Sequence, residues 1–450
     1  MKAKVILFLS SFACASTAAL FGQVNCTTST KLACQFPVSA QVLVQNTIGY
    51  TKSTATSDPA YLGASAVAGP INAAIATQLT QLPIPSTSLG VVSLHEKGSD
   101  VPVPFDNLGP ILTDRPDTVG KGHLFLGFGY QHFHFNHLDG VNLSQLPANF
   151  SFSQTSSTNS QDFQTFYGSE SNNIDFSLDQ YVAIASYGLN RTTDISVVVP
   201  INNVTLKSTA SKFSAFVYDS YSESYTNLTP ASNSPVTTNG SASGIGDVTV
   251  GFKHLFLGGD GSRAAIAGGG NFRIPTGDEL NYLGSGAIGG SAFGLFEYRS
   301  RLAPHAKLAY QWNDVSQLMD LQKSKSITLP GGMQYAFGAD FRWVRSLTLS
   351  GDLLGSQFVN TPSFTLSTAS VCPATSTSGS CITPSSSSGI NSMFTSVVTG
   401  KNTYSTVNYS AGLKWTPIRH VVLYGNAMIQ ANNVGLKSDL VPQVGIAFKR

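Results

Sequence analysis

The sequence predicts an all-β fold: a transmembrane antiparallel up-and-down β-barrel of about twelve strands, preceded by an irregular, partly helical N-terminal region. Three observations predict it. The chain opens on an export signal, and from Gly122 onward it is built of segments whose side chains alternate between apolar and polar. The connections between those segments alternate long and short.

The signal comes first. Lys2 and Lys4 precede a short apolar run, Val5 to Ala15, which ends on the small residues Ala13, Cys14 and Ala15. A basic start, a brief apolar core and a small-residue exit describe a secretory peptide, and the run is too short to span a bilayer as a helix. The expected cut follows Ala15, or falls as late as Gly22. Ser11, Phe12 and Ala13 before Cys14 make a poor lipobox, so no lipid anchor is expected. The remaining cysteines form two local pairs, Cys26 with Cys34 and Cys372 with Cys381, as suits an oxidising compartment. Neither spacing reads as a zinc site.

Composition narrows the class. With 11% charged residues, 42 glycines, 27 Phe and 16 Tyr, the chain matches neither a disordered protein nor an ordinary soluble enzyme. After the signal no apolar stretch approaches the roughly 18 residues of a spanning helix. A net charge of +2 gives no basis for binding nucleic acid. What remains is a secreted β-protein or a transmembrane barrel.

Strands are expected near 122–136, 174–188, 194–206, 246–256, 263–274, 290–299, 304–313, 332–343, 346–358, 404–415, 420–430 and 440–448. Their side chains alternate. Tyr335, Phe337, Ala339, Phe341 and Trp343 oppose Gln334, Gly338, Asp340 and Arg342, and Val407, Tyr409, Ala411, Leu413 and Trp415 oppose Asn408, Ser410, Gly412 and Lys414. Alternation alone also fits a soluble sandwich, which has a core face and a wet face. Loop length separates the two. Long connections, 137–173, 207–245, 275–289, 314–331, 359–403 and 431–439, interleave with short ones around 188–192, 258–261, 301–303, 344–345 and 417–419. Bacterial barrels keep tight turns on the periplasmic side and long loops outside. Tyr187, Tyr298, Trp343 and Trp415 fall beside the short turns, and Trp312 at an opposite end, where headgroup-level aromatic girdles belong.

The domain reading is a signal at 1–15, an N-terminal extension or plug at 23–119, and the barrel at 120–450. Within 23–119, a helix is expected from Pro70 to Leu82, with Pro70 at its start and Ile71, Ile75, Leu79 and Leu82 on one stripe. The preferred placement is periplasmic or partly inserted in the lumen.

Several segments resemble the outer-membrane family named for meta-pathway phenol degradation. They are Gly244 to Lys253, Arg273 to Asp278 with Leu283 to Gly286, Tyr187 to Pro200, Gly412 to Trp415, and Gly435 to Gly445. The likeness covers most of 120–448 and none of the N-terminal region. It implies a barrel acting in transport, often of hydrophobic or aromatic compounds, and supplies no catalytic residues.

Candidate chemistry is sparse. His132 and His134 share a strand face and could meet a metal, but no third ligand is spaced beside them, so no metal and no cofactor is expected. No Gly-x-Ser-x-Gly elbow is present, and no enzyme is expected. The expected lumen lining is Asp175, Asp179, Lys253, Arg273, Glu297, Lys307, Asp340, Arg342, Asp352 and Lys414, because charges facing lipid near the midplane are costly. About twelve strands leave a restricted pore or a plugged channel. The expected function is therefore an outer-membrane channel for small solutes, hydrophobic or aromatic ones among them. The alternative is a non-conducting structural or surface-binding barrel. Outer-membrane lipid is the one partner the sequence implies; oligomeric state and solute are unreadable.

Overall fold

The computed structural model describes residues 26, 29–48, 59–87, 94–95, 102–103, 111–155, 163–228, 234–258, 262–319, 321, 327–344, 346–370, 374–375, 381–382, 393–418 and 420–449. The expected export signal, 1–15, lies outside them, as does the pairing of Cys372 with the Cys381 side chain. Cys26 and Cys34 are joined by a disulfide.

Two helices, α1 (Gln35–Ile48) and α2 (Pro59–Leu79), precede the barrel. The barrel strands are β1 (Leu124–Leu138), β2 (Phe163–Gly188), β3 (Thr193–Asp219), β4 (Val236–Ile245 and Val248–Leu257), β5 (Ala264–Ile274) and β6 (Gly289–Tyr298). They continue with β7 (Leu302–Asn313), β8 (Gly332–Val344), β9 (Leu347–Ser370), β10 (Met393–Ile418), β11 (Val421–Gln430) and β12 (Leu436–Ser438 and Val441–Lys449). Each pairs antiparallel with the next, and β12 closes on β1 through Gln443↔Gln131 to Lys449↔Phe125, giving a closed barrel of 12 strands. Closure leaves no unpaired edge, which a sheet in hydrocarbon cannot tolerate.

The alternation read from the sequence is the alternation of the wall. Phe128, Tyr181, Phe252, Phe272, Phe296, Tyr310, Phe337, Tyr409 and Leu413 all project outward and are exposed on the bare protein. An apolar surface that continuous makes physical sense only against lipid. The chain is a transmembrane barrel of the bacterial outer-membrane type. Tyr187, Tyr298, Trp343 and Trp415 ring the end that carries the short turns, and Trp312 stands at the other; all are exposed.

Four strands run well past the bilayer. β2, β3, β9 and β10 hold 26, 27, 24 and 26 residues, against the roughly 9–11 that cross a membrane. Their outer halves form Ser/Thr-rich ribbons where the sequence reading placed long loops. Each ribbon bends at a register shift, near Lys212 and near Asn360, and both residues take left-handed φ (53° and 56°).

The N-terminal region departs further from expectation. α2 begins at Pro59, and Pro70 lies inside it rather than at its start. The helices sit at the loop end of the barrel, not below it. Ser39 shares a 2.9 Å hydrogen bond with Ser208 on the outer half of β3, and Tyr282, in the loop after β5, donates to Asn72 at 2.5 Å. Ile71 and Ile75 of α2 are buried in one apolar cluster with Phe133, Phe135, Phe176 and Leu178 of β1 and β2. Those wall positions face inward to meet the helices.

Candidate functional site: a plugged lumen

From α2 the chain descends through the lumen. Arg273 and Gln311, at the loop end, donate to the Thr80 carbonyl (3.4 and 3.3 Å), Gln131 donates to the Pro83 carbonyl at 2.9 Å, and Ser186, near the turn end, donates to the Thr87 carbonyl at 3.0 Å. A second lumenal segment, 111–119, lies alongside, joined by the Ser86 amide to the Ile111 carbonyl at 2.8 Å. It leaves at the turn end, where the Val119 amide donates to Asp194 at 2.8 Å and Thr118 to the Arg191 carbonyl at 2.8 Å. β1 then begins.

Segment 111–119 is locked by charge. Arg115 is 2% exposed and makes a two-pronged contact with Glu297, Nε to Oε2 at 3.0 Å and Nη2 to Oε1 at 2.6 Å; Glu297 has no exposure. Asp117 lies 3.1 Å from Arg115 and pairs with Arg299. Thr113 donates to Asp352 at 3.2 Å, and Asp352 also meets His305 Nε2 at 2.6 Å. Lys253 donates to the Arg115 carbonyl at 2.9 Å and lies 3.7 Å from Asp114. Burial pushes the Asp114 carboxyl up, but Lys253, the Ser86 hydroxyl, the charge of Lys307 and the Thr87 hydroxyl more than offset it and hold its pKa below the ordinary value. The apolar end of the segment is seated by shape. Ile111 is fully buried over Gly412, where any Cβ would collide with its Cδ1.

The opposite wall carries a run of uncharged polar side chains at mid-depth. A chain of hydrogen bonds crosses six strands: Ser410 to Asn426 (2.9 Å), Asn426 to Gln443 (2.7 Å), Gln443 to Gln131 (2.8 Å), Gln131 to Gln180, and Gln180 to Asn202 (3.0 Å). The lumen is thus divided into an amide arc over β10–β12 and β1–β3 and a charged arc over β4–β10. A cavity of about 290 Å³ lies beside residues 78–87, reaching both arcs.

The candidate lining residues fall in two groups. Lys253, Arg273, Glu297, Lys307, Asp340, Arg342, Asp352 and Lys414 lie on the inward side of their strands. Asp175 and Asp179 are corrected: they project from the outer face, where Asp179 meets His132 at 2.8 Å and Tyr130 donates to it at 2.8 Å, while Asp175 lies 3.6 Å from His134. The cause is the helices, which draw Ile174, Phe176 and Leu178 inward and so leave the intervening carboxylates outside. Among the described residues no group of three His, Cys, Asp or Glu is placed to hold a metal.

The sequence reading missed Arg115 and the amide arc. Arg115 carries one usable signal: Asp114, Arg115 and Asp117 put three charges within four residues of a chain that is only 11% charged. The amides carry none, since uncharged polar residues on alternate strand positions are what any wet face shows.

No protein-family model matches the chain, and no curated protein matches it. Among solved structures, an outer-membrane channel from Pseudomonas putida F1 aligns at 10% identity and a TM-score of 0.43, over 74% of this chain and 98% of that one. The NanC porin aligns at 8% identity and a TM-score of 0.32, over 72% and 98%. The CymD monoaromatic hydrocarbon channel aligns at 9% identity and a TM-score of 0.30, over 74% and 89%.

Proposed function

We propose that this barrel is an outer-membrane channel for small solutes, closed at rest by its own segment 111–119, and we place it with the family named for meta-pathway phenol degradation on the motifs quoted above. The observation that carries the channel reading is the lumen. A merely structural barrel has no need of a cavity of about 290 Å³ held open beside a separately latched segment. The latch combines ion pairs at its middle with apolar contacts of Ile111, Leu112 and Val119 at its ends, and the ion-paired part faces polar walls that water can re-solvate. Such a contact can open and reseat, whereas a plug packed like a protein interior would not. The reading is of transport, not catalysis.

Solutes would enter at the loop end, past the helices, and leave at the turn end once 111–119 shifts. Apolar lining from Phe133, Phe135, Leu354 and Met428 suits uncharged or aromatic portions of a solute. Planar-bilayer conductance and liposome swelling on the full mature chain test the proposal. Solute-dependent swelling together with brief openings supports it. A folded barrel that neither conducts nor swells liposomes, even with the Arg115 latch removed, is the non-conducting envelope barrel instead.

A further inference from the structure

We infer that the lumenal cavity is a binding site for a small aromatic carboxylate, with the Lys307 ammonium as the anchor for the carboxyl group and the Phe293 ring as a wall for the aromatic part. The inference rests on the channel reading and names its solute class.

Three cations border the cavity. Lys253 lies 3.7 Å from Asp114 and donates to the Arg115 carbonyl, and Arg273 lies 3.7 Å from Asp247 and donates to Asn313 at 2.7 Å. Lys307 differs from both. Among the described residues its ammonium makes no hydrogen bond and no ion pair within 4.0 Å, and it lies over the face of Phe293, 5.5 Å from the ring centroid. Asp114 faces the same space but is already engaged by Ser86 (2.8 Å), Thr87 (3.0 Å) and Lys253. An ammonium at an inward position with no counter-ion within 4.0 Å, and only the already engaged Asp114 at longer range, is costly, and an entering anion reduces that cost.

Shape agrees with charge. Lys307 stands opposite Leu295 on β6 and Ala336 on β8, and Phe293 stands opposite Ala309 on β7, so the short side chains of Ala336 and Ala309 leave space beside the ammonium and the ring. Gln311 and Gln334, bonded to each other at 2.5 Å, bound this part of the cavity on the loop-end side, and Leu354 adds an apolar wall. The volume, about 290 Å³, compares with the roughly 150 Å³ of an apolar cavity that holds one benzene. A volume of that size accommodates one ring with its carboxylate.

The test is calorimetric titration of the full mature protein in detergent with benzoate, its neutral isostere benzamide, and acetate. The same preparation is assayed for conductance. Benzoate should bind about tenfold or more tightly than benzamide or acetate, and Lys307→Met should remove the margin over benzamide while leaving benzamide binding unchanged. Wild-type protein that binds benzoate and benzamide alike, or acetate as tightly as benzoate, overturns the inference, and this comparison stands even if Lys307→Met fails to fold. A protein that conducts but does not prefer benzoate loses this inference alone. A protein that prefers benzoate but never conducts keeps the site and loses the channel.

Discussion

Replacing Arg115 by Met should unlatch the lumen. The substitution keeps much of the side-chain length and removes the guanidinium that makes both contacts to Glu297, leaving a carboxylate with no solvent exposure and its principal partner gone. Breaking a buried pair by removing one partner costs about 3–5 kcal/mol. Arg299 and Lys414 share this part of the lumen and will take up some of the charge, so the lower figure is the one to use. The cost is escapable here, because departure of 111–119 admits water to Glu297. At about 1.4 kcal/mol per factor of ten, a shift of about 3 kcal/mol moves the seated-to-displaced equilibrium by roughly 100-fold. In planar bilayers the open probability of Arg115→Met should therefore rise by about that factor or saturate. The double variant Arg115→Met/Glu297→Met removes one charge of each sign and leaves the net charge of the cluster unchanged. Replacing a buried pair by apolar residues is often neutral, so this variant should close again. Wild-type conductance from a folded Arg115→Met barrel, or equal opening in single and double variants, would show that the latch is not electrostatic.

Three further outcomes follow from the geometry. Gly412→Val places a branched side chain where even a Cβ meets Ile111 Cδ1, so it should open the channel like Arg115→Met, and adding Ile111→Ala should partly reverse it; a closed Gly412→Val channel would mean Ile111 is not seated there. Phe337→Arg puts a cation on the lipid face near the middle of β8, and urea titration in lipid vesicles should show a loss of about 2–4 kcal/mol, whereas an unchanged midpoint would move Phe337 out of the hydrocarbon. Cys26→Ser/Cys34→Ser removes a staple whose chain-entropy value is about 2–3 kcal/mol and whose reach is local. Limited proteolysis should then cut the N-terminal helices faster while the barrel keeps its compact mobility on unheated gels, and joint loss of both would make the staple global.

The barrel was legible in the sequence because lipid imposes one rule on one stretch of every strand. Where Tyr409, Leu413 and Trp415 alternate with Ser410, Gly412 and Lys414, outward is apolar and inward is polar. The rule fails above the membrane. On β2 the apolar series Ile174, Phe176, Leu178 shares its parity with inward-facing Gln180, Val182 and Ile184, while Tyr181 and Tyr187 face lipid. Helices filling the outer mouth offer an apolar surface inside just where water replaces lipid outside, so the apolar face of the strand changes sides. Periodicity cannot report that change, and Asp175 and Asp179 were assigned to the wrong face because of it.

The same inversion bears on how the lumen works. Below the rim the wall gives the middle of 111–119 ion pairs, so its seat depends in part on local charge; above the rim α2 meets the wall through apolar side chains that include Ile71, Ile75, Phe133 and Phe176, in a cluster that extends down to Ile111, Leu112 and Val119. The two attachments differ in their share of charge, and the ion-paired, water-replaceable one lies toward the turn end. Motion is expected in 111–119 with the helices held in place, as water can replace the ion pairs of a short segment while α2 would have to expose its apolar face. Hydrogen exchange on the protein in vesicles distinguishes the two: amides of 111–119 should exchange through local opening, faster in Arg115→Met, while those of α2 near Ile75 stay protected in both. Equal acceleration in α2 would mean that the N-terminal region moves as one body, and the division of the lumen into a latch and an anchor would have to be abandoned.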